Sequence, residues 1–142
     1  MKTLLLSCLV MFGTLLAPAA QAQLVRLDVI VQGLEPATGT VEVTLFNAAE
    51  TFLKKPFLQQ AAEVDGAAQL TFNFVGLLDG EYAVVVVHDE NGNQVLDSGF
   101  LGFGSEGIGY SNDAAPWLGR PSFDQAKFAI GQDDLDITIT LQ

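Results

Sequence analysis

Cysteine is almost missing from this 142-residue chain, Cys8 being the only one. That excludes a disulfide framework and any cysteine-ligated metal site. Histidine is as scarce, with His88 alone, so a zinc centre built on several imidazoles is excluded too. Cations are few: six Lys and Arg stand against seventeen Asp and Glu, for a net charge of −11. A chain so acidic repels phosphate backbones and anionic lipid surfaces, which argues against nucleic acid as a partner. Two patterns are also lacking. No segment sustains a helical period, and no apolar run reaches the roughly 18 residues of a membrane-spanning helix.

What the chain does have begins at its start. Lys2 supplies a positive n-region, Leu4 to Leu16 an apolar h-region, and Ala20-Gln21-Ala22 an A-x-A cleavage site. Together they predict a secretory signal peptide over 1–22 and a mature domain over 23–142. Cleavage would remove Cys8 and, with it, any thiol nucleophile. It would also remove Lys2, and since no acid lies in the first 22 residues the charge moves from −11 to about −12. The expected product is exported, periplasmic or extracellular, not inserted in a membrane after cleavage, and at roughly 120 residues a single domain.

The mature chain alternates with period two. Val25, Leu27, Val29 and Val31 face one way and Arg26, Asp28 and Gln32 the other. The same holds for Val41, Val43 and Leu45, for Leu70, Phe72 and Phe74, and for Leu135, Ile137, Ile139 and Leu141. Each reads as a half-buried strand. Tyr82 to Val87 is apolar at every position, which predicts a central strand covered on both faces. A short strand at Ala61 to Val64 is expected to form a hairpin with 67–74 through Asp65-Gly66. A weaker strand is expected at Lys127 to Ile130, and a turn or two of helix between Ala48 and Pro56. The fold class expected is all-β: one antiparallel two-sheet sandwich of about seven strands, transthyretin-like or immunoglobulin-like, with a long loop rich in glycine and aromatics.

Three constellations carry chemistry. Behind the apolar strand, Asp89, Asn91, Asn93 and Asp97 fall at loop positions 1, 3, 5 and 9, with the Val95 carbonyl between. Hard oxygen donors at that spacing suit Ca²⁺, the one cofactor expected. Position 12 is Phe100, so a further carboxylate would come from Glu106 or Asp113, and the affinity would be weak, about 10⁻⁴ to 10⁻³ M. Second, His88 with Asp89 as orienter and Ser111 or Ser122 as nucleophile would make a hydrolase, but no G-x-S-x-G elbow accompanies them. Third, Phe100, Phe103, Tyr110, Trp117 and Phe123 in the stretch 100–123 could line a small-ligand site or close over the sandwich as a satellite core.

Several blocks in order carry a family resemblance: Gly39 to Asn47, Leu77 to Val84, His88 to Asn93 with Leu96-Asp97, Glu106 to Asn112, and Pro121 to Phe128. They span nearly all of the mature chain, which resembles the bacterial family called domain of unknown function 2141. The resemblance implies a small exported β-sandwich, similar to transthyretin-like and adhesin-repeat domains, and no activity. Members commonly read Asn-Gly-Asn-Gly in the acidic loop. This chain has Gln94 where a calcium loop turns most easily on glycine. The function expected is a non-enzymatic binding or structural module of the cell envelope, with an envelope protein or surface component as partner. A weak calcium-ordered loop at 89–97 is its most concrete feature. The alternatives are a small-ligand carrier using 100–123 and a hydrolase using His88.

Overall fold

The computed structural model describes residues 23–90, 106–114 and 119–141. Among them are eight strands: β1 Val25–Gln32, β2 Thr40–Phe46, β3 Leu58–Glu63, β4 Gln69–Leu77, β5 Gly80–Asp89, β6 Gly107–Tyr110, β7 Phe128–Ile130 and β8 Leu135–Thr140. A 3₁₀ turn at Ser111–Asp113 and a single helical turn, α1, at Phe123–Ala126 lie between β6 and β7. No helix among the described residues is long and apolar enough to cross a membrane.

The strands form two sheets, in the orders β4-β1-β8 and β3-β2-β5-β6. The β5 strand is ten residues long, enough for two short partners on one edge. β7 pairs with its first half (Tyr82 opposite Phe128) and β6 with its second (Val85 opposite Tyr110). The all-β sandwich expected from the periodicity is the fold observed.

Alternation places the core. The even-spaced apolar residues of β1, the Val41-Val43-Leu45 face of β2, Phe72 and Phe74 of β4, and Tyr82, Val84 and Val86 of β5 fill one cluster between the sheets. In β4 the register shifts between the Val25–Leu77 and Leu27–Phe74 pairs. That bulge returns Leu77 to the core and leaves Val75 exposed.

The second face of β5 is buried as its composition demands. Ala83 and Val85 pack with Phe46, Phe52, Phe123 and Ala126 into a second cluster on the outside of the larger sheet. Phe52 stands edge-on to Phe46 and to Phe123, with ring centroids 5.2 and 5.8 Å away. The segment 48–57 supplies this cover as hydrogen-bonded turns and not a helix. Lys54 and Lys55 N–H both donate to the Thr51 carbonyl, and Leu53 is left-handed at φ 58°.

Two connections differ from expectation. The chain around Asp65-Gly66 does not close a hairpin: β3 pairs with β2, while β4 pairs with β1 in the other sheet. Val64 is buried in the core. Its N–H donates to the Gly39 carbonyl and that of Gly66 to Ala37. The segment is thus tied to the turn before β2 and crosses between sheets. Likewise β7 and β8 lie in different sheets, so β8 arrives alongside β1 in parallel, with Val29 opposite Ile137. Asp134 fastens that corner by accepting the Arg26 N–H at 2.8 Å.

Candidate functional site

Tyr82, Val84, Val86 and His88 share the inner face of β5, so the strand's alternation ends on an imidazole inside the molecule. His88 is only 1% exposed. Its Nε2 lies 2.6 Å from the Thr38 carbonyl. That oxygen can only accept, so Nε2 carries the proton. Nδ1 has no hydrogen-bond partner among the described residues. His88 therefore ties the end of β5 to the turn before β2, and lies opposite Val41 and Gly107.

The serines are committed elsewhere. Ser111 Oγ is buried, donates to the Ala126 carbonyl at 2.6 Å and accepts the Val84 N–H at 2.9 Å. It pins α1 to β5 at the level of Val84, four residues before His88. Ser122 precedes α1, and its N–H donates to Gln125 Oε1 at 2.9 Å, a helix-start contact.

Asp89 is the last residue of β5, half-buried and opposite Thr40. The other calcium candidates, Asn91, Asn93, Val95 and Asp97, lie outside the described residues, as do Phe100, Phe103 and Trp117. The topology separates the two proposed extra carboxylates. β6 runs antiparallel to β5, so buried Glu106 precedes the Gly107 that faces His88, at the Asp89 end. Asp113 follows the opposite end of β6, beyond Tyr110, and cannot join Asp89. Among the described residues no group of three or more His, Cys, Asp or Glu could hold a metal ion.

A different arrangement appears on the outer face of the larger sheet. The register stacks Gln59, Thr44, Val85 and Tyr110 in one rung across four strands, and Glu42, Val87 and Ile108 in the next. Phe46 extends this floor. The 53–56 turn and Arg120 border it, leaving a groove of about 230 Å³. Leu53, Lys54 and Arg120 also border an adjoining depression beside Phe52 and Phe123. Burial pushes the Tyr110 hydroxyl's pKa up, and the nearby Arg120 guanidinium pulls it the other way.

Of the aromatics expected to gather, Tyr110 and Phe123 do so here, on the flank of the sheet. Sequence reading missed Glu42, Thr44, Lys54 and Gln59. Glu42 and Thr44 sit on the polar face of β2, and Gln59 precedes the expected start of β3. The usable signal was Phe46, out of phase with Val41, Val43 and Leu45: an aromatic on a nominally wet face implies a second layer.

No curated protein and no solved structure matches the chain. One family model does: that of an uncharacterized protein conserved in bacteria (DUF2141) matches residues 29–138. The chain belongs to this bacterial family, the one its sequence blocks resemble.

Proposed function

We infer that the protein is an exported, non-enzymatic binding module of the bacterial cell envelope, periplasmic or extracellular, and that the outer groove is its binding surface. The observation that carries this reading is the groove itself. A four-stranded floor, part apolar and part polar, is left uncovered by the described residues where the 48–57 segment and α1 stop. Concave sites with an apolar base and a few convergent polar groups are where proteins hold small ligands. The engagement of His88 with Thr38 and of Ser111 with Val84 and Ala126 supports structural duties for both.

Amide chemical-shift mapping against a mixture of small neutral and charged organic fragments tests the reading. Hits should perturb Thr44, Val85, Val87 and Tyr110 and leave β1, β4 and β8 unmoved. Perturbations scattered over both sheets, or none, would count against it.

The stretch 89–97 enters this reading as a weak calcium-ordering loop. It is supported by its oxygen spacing and by Asp89, which the pairing with Thr40 fixes at the end of a rigid strand. With a dissociation constant of about 10⁻³ M, 10 mM Ca²⁺ should add about 1.4 kcal/mol. That raises the melting temperature by roughly 5 °C. Asp89→Ala or Asp97→Ala should remove the gain. A melting temperature that does not move with calcium, with magnesium as control, would refute the loop's role.

A further inference from the structure

The chemistry of the groove's ligand follows from where the few cations are placed, given the reading of the groove as a binding surface. Five of the six Lys and Arg lie in the mature chain. Arg26 is bound by Asp28 and Asp134, at 3.1 and 3.6 Å. Lys127 is bound by Glu81 and Asp124, at 3.1 and 3.0 Å. Lys54, Lys55 and Arg120 make no ion pair among the described residues, although acids outnumber cations seventeen to six; Lys55 is not part of the groove's lining, whereas Lys54 and Arg120 are. Both border the groove and both border the depression next to it. They come from distant parts of the chain, Lys54 from the turns after β2 and Arg120 from the approach to α1.

The groove is polarised along its length. Lys54 and Arg120 mark the end beside Phe52 and Phe123. Glu42, the one acid lining it among the described residues, lies on the Val87 rung toward Asp89. Residues two apart on a strand are separated by about 7 Å, so the apolar floor of Phe46 and Val85 lies between opposite charges. A guanidinium presents a planar fork that matches a carboxylate. A multiply charged anion is disfavoured by Glu42 and by the acidity of the whole chain. The volume, about 230 Å³, falls below the roughly 300 to 1,000 Å³ of pockets for drug-sized ligands.

We propose that the groove binds a small organic monoanion, an apolar body carrying one carboxylate. Arg120 takes the carboxylate, Lys54 reinforces it, and the body lies on Phe46 and Val85 beside Tyr110.

The test titrates the mature protein with phenylacetate and hexanoate, with the neutral phenylacetamide and hexanamide, and with acetate. Amide shifts are followed in wild type, Arg120→Gln, Lys54→Gln and Glu42→Gln. Both cations are exposed, so the variants should melt as wild type does. The carboxylates should shift the Thr44, Val85 and Tyr110 amides and bind at least tenfold more tightly than the amides or acetate. Arg120→Gln should remove that tenfold margin, Lys54→Gln should reduce it, and Glu42→Gln should tighten binding two- to threefold. Amides binding as well as carboxylates, or Arg120→Gln without effect, would overturn the monoanion and leave the groove a binding surface. Silence from every probe, carboxylate and neutral alike, would overturn the monoanion and the groove reading together.

Discussion

Val84→Asp and Val86→Asp should each unfold the domain or nearly so, while Thr138→Asp should cost about 0.5 kcal/mol. Both valines have no exposure at all. Val84 is further enclosed by the Ser111 hydroxyl, which accepts its N–H at 2.9 Å while donating to the Ala126 carbonyl. An aspartate at either position must be buried without a partner or be protonated, a penalty of several kcal/mol. The whole stability of a domain is only about 5–15 kcal/mol. Thr138 lies on the exposed face of β8, opposite Ile30. A charge there stays in water, near Asp136 on the same face, and effects at such sites are usually within about 0.5 kcal/mol. Urea denaturation of the three variants reads the difference directly. Similar losses at all three positions would contradict β5 as the strand buried on both faces.

Gly39→Ala is expected to cost about 3 kcal/mol and to disturb the end of β5. Gly39 has φ +91°, and a Cβ there would run into the Asp89 carbonyl, with the Glu90 backbone directly behind it. Left-handed backbone costs a residue with a Cβ about 1–2 kcal/mol, and relieving the clash requires moving backbone, not a side chain, for a further 1–3 kcal/mol. Gly66→Ala separates the two contributions. Its φ is +71° but nothing lies within 4 Å of the added carbon, so only the first cost, about 1 kcal/mol, should appear. Equal losses for the two variants would mean the approach of the Gly39 turn to Asp89 is looser than described. The same approach holds Asp89 in place, so the Gly39 variant should also weaken any calcium-dependent gain in melting temperature.

Much of this fold was legible in the residues. β1, β2, β4 and β8 announce themselves because burial on one face only selects every second residue. β5 stands out because two buried faces select all of them. β3 was placed late and paired wrongly for a physical reason. Its residues, LQQAAE, bury little, so an edge strand of this kind leaves almost no apolar imprint. Its partner is decided by Val64 reaching the core and by backbone bonds to Ala37 and Gly39. The direction of β8 was equally hidden, since a period of two is the same whichever way a strand runs. Spacing singled out Asp89, but its partners in that spacing, Asn91, Asn93, Val95 and Asp97, lie outside the described residues. The groove left no such pattern, because its cations lie 66 positions apart, at Lys54 and Arg120, and border one groove only when the 48–57 turns and the approach to α1 fold over the same sheet.

The parallel pairing of β1 with β8 governs how the molecule answers force. The two strands run in the same direction, joined across six residue pairs from Leu27–Leu135 to Gln32–Thr140, with Leu141 adding a bond to the Gln32 carbonyl. Tension applied at residues 23 and 141 pulls them past each other along their length. The evenly spaced bonds of a parallel ladder are then loaded in shear and must fail together, whereas an antiparallel terminal pair pulled from adjacent ends would peel one bond at a time. A chain drawn taut between two attachment points would therefore yield abruptly, at a high force, instead of creeping open.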